Sequence, residues 1–122
     1  MPHLILEITD NVPGPTDLPA TLNRLNRAIV ATGLFEERDV KGRAVIHSAY
    51  AVGVDAPDRG FVALTLEILA GRDVETRSRL ADDLMAVLER DFARAAAGGN
   101  VGLSVQVKEM DRESYRRRRP TL

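Results

Sequence analysis

The feature that most constrains the fold of this chain is an internal repeat with an offset of sixty residues. Leu4-Ile5-Leu6-Glu7-Ile8 returns as Leu64-Thr65-Leu66-Glu67-Ile68. In both copies apolar residues occupy the even positions, so each copy predicts a β-strand with one strongly buried face. The odd positions are mixed in polarity. The repeat therefore predicts two equivalent structural units within one chain.

Each strand copy is followed by a predicted helix with its own start and stop signals. Asp17 and Asp73 are placed to cap the two helices. Gly33 is placed to end the first helix, and Gly98-Gly99 the second. Apolar residues at helical spacing form one stripe on each helix: Leu18, Leu22, Leu25 and Ile29 on the first, and Leu80, Leu84, Val87, Leu88 and Phe92 on the second.

A further strand is predicted after each helix, over residues 41–52 and 101–108, with a turn over 53–60 between the halves. The chain therefore has the pattern β-α-β, β-α-β, which predicts one α+β domain over residues 1–122 with repeat halves of about 1–52 and 58–108. Right-handed crossovers make each half a parallel pair, and the turn sets the halves antiparallel. Two helices cover only one face of a four-stranded mixed sheet, so the other face favours self-association.

The composition excludes several classes of function. The chain has 17 basic and 18 acidic side chains, a formal net charge of −1, which argues against general attraction to nucleic acid or an anionic membrane. The absence of cysteine excludes disulfides, thiolate metal sites and cysteine nucleophiles. No apolar run approaches the roughly 20 residues of a membrane span. The start of the chain lacks the pattern of a secretory signal, so we expect a cytoplasmic protein.

The end of the chain is strongly basic. Residues 109–122 form a tail that carries Arg112 and the run Arg116 to Arg119. Such a run is found in segments that bind nucleic acid or another anionic partner. It is also typical of a solvated arm, or of an arm paired with acidic groups of a neighbouring subunit. Because Tyr115 is the only aromatic residue nearby, we favour the arm and expect no nucleic-acid partner.

The conventional acid–base residues are few. His3 and His47 are isolated in sequence, and we expect both to be structural or surface residues rather than metal ligands. Glu7 and Glu67 occupy equivalent repeat positions, so a paired-carboxylate role is conceivable, although a solvated or interface role is favoured.

Pro2 is the remaining chemical candidate. Methionine before proline is ordinarily removed, which would leave a secondary amine at the start of a buried strand. An α-amino group titrates near pH 7.7–8.0. Burial or a nearby cation lowers its pKa, which would produce a neutral base at pH 7 without histidine.

Several local motifs together resemble the 5-carboxymethyl-2-hydroxymuconate isomerase family of the tautomerase superfamily. They are Pro2-His3, the run from Glu7 to Asn11, Asp17-Leu18-Pro19, Ala31-Thr32-Gly33 with Phe35, and Ala70-Gly71-Arg72. The likeness extends from Pro2 to about Phe92. It implies a tautomerase-like fold, a homotrimer and an active site that uses an amino-terminal proline and no metal or cofactor.

The resemblance also implies a reaction and a set of site residues. The family moves a proton in a 2-hydroxy-dienoic acid to give its 2-oxo isomer, with Pro2 in the place of the proton shuttle. Arg72 falls at the family's arginine after the second-repeat strand. Where the family tends to have Arg-x-Arg, this chain has Lys41-Gly42-Arg43, and all three cations would bind a small anionic carboxylate substrate. Lysine keeps the charge but loses the bidentate contact of arginine, which puts the exact substrate in question.

Two alternatives stay open at this point. One is another reaction of the same superfamily on a small keto–enol acid, such as decarboxylation or general tautomerisation. The other is a catalytically silent oligomeric binding protein on the same scaffold, with the basic tail as its most informative surface.

Overall fold

Two βαβ units lie side by side in a single four-stranded sheet. The computed structural model describes residues 1–121, and Leu122, the last residue of the predicted basic tail, lies outside the described residues. The strands are β1 (His3–Thr9), β2 (Lys41–His47), β3 (Gly60–Leu69) and β4 (Val101–Met110). The helices are α1 (Leu18–Val30), α2 (Val74–Asp91) and the short α3 (Ala93–Ala96), with single 3₁₀ turns at Glu37–Asp39 and Arg112–Ser114.

The sheet has the strand order β2-β1-β3-β4. β1 is parallel to β2, β3 is parallel to β4, and the two halves meet where β1 runs antiparallel to β3. This arrangement confirms the predicted duplicated α+β fold. It also places the start of β1, the start of β2 and the end of β3 at one end of the sheet, because His3 lies opposite both Lys41 and Glu67.

The core lies between one face of the sheet and the two long helices. The even positions of both repeat strands are at most 5% exposed. They pack against the apolar stripes of α1 and α2 in one continuous cluster. The residues that fill it from the helices are Leu25, Ile29, Leu80, Leu84, Leu88 and Phe92. Because strand side chains alternate, the odd positions face away from this core and form an open sheet face.

Both predicted caps form. The Asp17 carboxylate accepts a hydrogen bond from the Ala20 N–H at 3.1 Å, and the Asp73 carboxylate accepts one from the Thr76 N–H at 2.8 Å. Gly33 follows α1 with a φ of +76°, a conformation that glycine adopts without strain. The second helix ends earlier than the predicted stop at Gly98-Gly99, because α2 is interrupted at Phe92 and the short α3 follows.

The predicted strand over 41–52 is too long, since β2 ends at His47. β2 is an edge strand whose one neighbour is β1, and β1 ends at Thr9, opposite His47. Beyond that point no strand is available to pair with it. The connection to β3 instead turns through positive φ angles at Gly53 and Asp55. Among residues 1–121, no helix is both long enough and apolar enough to cross a membrane.

Candidate active site

Pro2 is buried immediately before β1, at the end of the sheet where β2 begins and β3 ends. Its carbonyl accepts a hydrogen bond from the Lys41 N–H at 3.1 Å, so the residue is fixed by the parallel β1–β2 pairing. In the described chain the Pro2 nitrogen forms a peptide bond with Met1, and the free amine belongs to Met1. Pro2, the predicted base, is therefore buried and held in place by the pairing of β1 with β2.

The amine of Met1 lies beside a cation. It donates to the carbonyl oxygen of Asp39 at 2.9 Å, and the Lys41 Nζ donates to the same oxygen at 2.8 Å. Burial, followed by the hydrogen-bonded and charged Lys41, lowers the pKa of this amine from 8.0 to about 6. The Met1 amine is therefore mainly neutral at pH 7.

Arg43 joins the same group through His3. Both lie on the open face, and the Arg43 Nη1 donates to the His3 Nδ1 at 3.2 Å. Burial, then Arg43 and Lys41, lower the pKa of His3 below its ordinary value. The structure therefore brings Pro2, Lys41 and Arg43 together, and the His3 side chain of β1 contacts Arg43 of β2.

Arg72 lies at the same end of the sheet, three residues beyond β3, but it makes different contacts. Its Nη2 donates to the Leu34 carbonyl at 3.0 Å, and its guanidinium lies 5.0 Å from the centre of the Phe35 ring. The loop after α1 thus holds Arg72, and no contact joins it to Lys41 or Arg43 within residues 1–121. Guanidinium carries five N–H donors, so most of its donors are left for a ligand.

The basic arm turns back onto its own chain. Arg119 forms an ion pair with the Asp39 carboxylate, and Arg117 approaches that carboxylate at 3.6 Å. Burial alone would raise the pKa of Asp39, but these two arginines hold that pKa below its ordinary value. The arm is thus paired with an acidic group of its own chain, and it borders the Met1 amine.

The two glutamates of the repeat do not form a carboxylate pair. Glu7 lies opposite Ala63, whereas Glu67 lies opposite His3 near the other end of the strands. The Glu7 carboxylate accepts a hydrogen bond from His47 at 2.9 Å. A surface cavity of about 500 Å³ lies at the far end of the sheet, between Ser48 and Arg59, and contains none of the predicted site residues. No group of three or more potential metal ligands occurs within residues 1–121.

The sequence did not identify His3, Asp39 or Tyr115 as part of this site. For His3 a signal existed, because it has the strand parity of the other odd positions and stands directly after Pro2. For the other two no local signal exists, since the Arg119–Asp39 and Tyr115–His3 contacts span 80 and 112 residues.

Comparison with known proteins gives consistent matches over nearly the whole chain. A family model described as 5-carboxymethyl-2-hydroxymuconate isomerase matches residues 2–120. The chain is also 29% identical over 110 residues to the 5-carboxymethyl-2-hydroxymuconate Delta-isomerase of Escherichia coli, covering 90% of this chain and 87% of that protein.

Solved structures show the same relationship. A 5-carboxymethyl-2-hydroxymuconate isomerase from Deinococcus radiodurans R1 superposes with a TM-score of 0.89 at 35% identity, covering 98% of this chain and 90% of that one. A structure described as a fused 4-OT wild-type symmetric trimer has a TM-score of 0.73 at 18% identity, covering 93% and 89% of the two chains. At that identity the second match shows a shared fold.

Proposed function

Because this chain belongs to the 5-carboxymethyl-2-hydroxymuconate isomerase family, we propose that it converts 5-carboxymethyl-2-hydroxymuconate, or a closely related 2-hydroxy-dienoic acid, to the 2-oxo isomer. The observation that carries the proposal, beside the family match, is that Pro2 is buried at the end of the sheet where Lys41 begins β2, and that the Met1 amine attached to it has a pKa lowered to about 6. The same surroundings would lower the pKa of a Pro2 amine and make it a neutral base at pH 7, and the adjacent cations suit an anionic substrate.

In the proposed reaction Met1 is removed and the Pro2 amine becomes the proton shuttle. The neutral amine takes the hydroxyl proton of the dienol, the oxygen electron pair forms the ketone, and the double bonds shift along the chain. The same proton then returns to a carbon further along the conjugated system, so the reaction is balanced without a co-reactant. Burial supports this role, because Pro2 is buried whereas Met1 is only partly so.

The cations have separate parts in this proposal. Lys41 and Arg43, on adjacent open-face positions of β2, bind carboxylate groups and stabilise the negative charge that develops on the oxygen. Arg72 binds a carboxylate at the rim, where the Phe35 ring and the Leu34 carbonyl already fix its orientation.

We further propose a trimer, assembled through the open sheet face. This face carries apolar side chains that the helices leave uncovered, among them Val45, which is 43% exposed, and the partly exposed Ile5 and Phe61. The symmetric-trimer relative supports the same assembly on this fold. Light scattering should give three times the 13.4-kDa mass of the chain, and a monomer at micromolar concentration would refute this arrangement.

The decisive test is an ultraviolet assay of ketonisation with a panel of 2-hydroxy-dienoic acids, preceded by intact mass measurement. We expect Met1 to be absent from the active protein. Pro2→Ala should lower kcat by about 100-fold or more, within the range that general acid–base groups contribute. The isomerase activity of Arg43→Gln should be compared with that of Arg59→Gln, which is a matched control because Arg59 lies at the far end of the sheet. Retention of Met1 in fully active protein, or full activity in Pro2→Ala, would refute Pro2 as the shuttle.

A further inference from the structure

The C-terminal arm contacts the site through Tyr115. The 3₁₀ turn at Arg112–Ser114 redirects the chain after β4, and Tyr115 then lies beside the first residue of β1. Its hydroxyl is 3.2 Å from the His3 Nε2, and the two rings meet edge-on with centroids 6.1 Å apart. His3 therefore stands between two partners, Tyr115 on one ring nitrogen and Arg43 on the other.

The chemistry of arginine fixes the direction of these hydrogen bonds. A guanidinium has donors and no acceptor, so the His3 Nδ1 that faces Arg43 must carry a lone pair. A neutral imidazole with a bare Nδ1 carries its proton on Nε2. That N–H then donates to the Tyr115 oxygen, and the phenol hydrogen stays available for another acceptor.

The charges around His3 favour this neutral form. Arg43 and Lys41 face it from β2, the terminal amine from the start of the chain, and Glu67 from β3. Burial lowers the pKa of His3, and the two cations of β2 lower it further against the single carboxylate. Protonation of Nδ1 would also place an N–H against the N–H of Arg43, which would break that contact.

We propose that Tyr115 is a positioning residue, which holds the His3 ring by accepting a hydrogen bond from its Nε2–H and, through that ring, orients the Arg43 guanidinium towards a bound carboxylate. Among residues 1–121, the Arg43 side chain makes no other hydrogen bond, so this two-step connection is what restrains its head group. The inference rests on the proposed function only for the identity of the anion. The connection itself is a property of the unliganded chain.

The first test is the tautomer of His3, read from the imidazole ¹⁵N chemical shifts of labelled protein at pH 7 and assigned with a His3→Asn variant. We expect a protonated Nε2 and an unprotonated Nδ1. A charged ring, or a proton on Nδ1, overturns the proposal without any assay of turnover.

The second test measures affinity for tricarballylate, an unreactive tricarboxylate, together with KM and kcat for 5-carboxymethyl-2-hydroxymuconate. Tyr115→Phe keeps the ring and removes the hydroxyl. It should therefore raise both Kd and KM about fivefold, the effect of one lost hydrogen bond, and change kcat little. Tyr50→Phe is the matched control. It removes the other tyrosine hydroxyl, which donates to Asp10 at the far end of the sheet, and should leave both constants unchanged.

A double-mutant cycle separates positioning from direct substrate contact. His3→Asn can keep an acceptor for Arg43 but is too short to reach Tyr115, so in that background Tyr115→Phe should have no further effect. A full additional loss would mean that Tyr115 acts on the ligand itself and would overturn the proposal, as would equal effects of Tyr115→Phe and Tyr50→Phe. Tricarballylate binding that depends on Tyr115, in a protein that isomerises no dienoic acid, would support this inference and refute the proposed function.

Discussion

In the chain that retains Met1, the charge of Lys41 should lower the pKa of the terminal amine, and replacing Lys41 by methionine tests this directly. The Met1 amine and the Lys41 Nζ lie 2.9 and 2.8 Å from one carbonyl oxygen, so they are at most 5.7 Å apart. At that separation Coulomb's law gives about 0.5 pKa unit in water and about 2 units at an effective dielectric constant of 20.

The lowering from 8.0 to about 6 bounds the effect of Lys41 from above, because burial is its largest single cause and persists in the variant. We therefore expect Lys41→Met to raise the pKa of the amine by about 0.5 to 1.5 units. The assay is trace acetylation across pH 5 to 9, read by mass spectrometry of the N-terminal peptide. The same peptide shows whether Met1 or Pro2 begins the chain.

Lys108→Met is the control, since the chain has only these two lysines. Lys108 lies on the same face two strands from β1, about 10 Å away by strand spacing, where Coulomb's law gives about 0.3 pKa unit in water, little more than half the effect of Lys41 at the same dielectric constant. A Lys41→Met variant whose amine stays within about 0.2 unit of the wild-type pKa, or falls below it, would show that the charge of Lys41 does not lower this pKa.

Three further predictions concern the framework and the arm. Leu84 is fully buried, so Leu84→Ala should lower the free energy of unfolding in urea by about 3 kcal/mol. Val74→Ala, at an exposed position, should change it by less than about 0.5 kcal/mol. Equal effects of the two substitutions would contradict the assignment of the core. The hydrogen bonds from Thr76 hold the pKa of Asp73 below 3.8 in the folded state. The stabilisation that the Asp73 cap provides is therefore present above pH 3.8 and is lost as the pH falls through the lowered pKa. The Tm difference between wild type and Asp73→Ala should shrink between pH 5 and pH 3, and a constant difference would argue against the cap. Arg119→Gln should raise the pKa of the Asp39 carboxyl measured by ¹³C NMR, whereas Arg118→Gln should leave it unchanged, because Arg119 forms an ion pair with Asp39 and Arg118 forms none among residues 1–121. A shift in both variants would indicate a diffuse effect of the arm.

The framework was predictable because its determinants are local. The even-position apolar residues of the repeat specify which strand face is buried, and Asp17 and Asp73 mark helix starts through contacts only three residues long. The end of β2 was not predictable in the same way. Residues after His47 have strand-like composition, but an edge strand ends where its neighbour ends, and that length is a property of β1.

The same distinction between local and long-range determinants applies to the residues of the site. Lys41 and Arg43 could be placed together from their shared strand parity, and they do lie together on the open face. Of the partners that hold them, Asp39 lies two residues from Lys41, and His3 approaches Arg43 through the pairing of β1 with β2. The contacts of Tyr115 with His3 and of Arg119 with Asp39 depend on the path of the arm, and residue spacing carries no information about that path. Arg72 shows the complementary limit. Its position was found by resemblance, and Phe35 belongs to another motif of that resemblance, but nothing in the sequence placed the two residues in contact.

The lysine at position 41, where the resemblance implies an arginine, fits the proposed chemistry when its effect on the terminal amine is considered. With a pKa of about 6, roughly ten amines are neutral for each protonated one at pH 7, whereas a pKa of 8.0 would reverse that ratio. An amine made neutral by burial alone would stay a weak base throughout the reaction. One made neutral partly by a cation becomes a stronger base when an anionic substrate offsets that cation, at the moment when the proton must be taken. This role needs charge at short range, which the compact ammonium of lysine supplies, and it does not need the planar bidentate contact that only arginine makes.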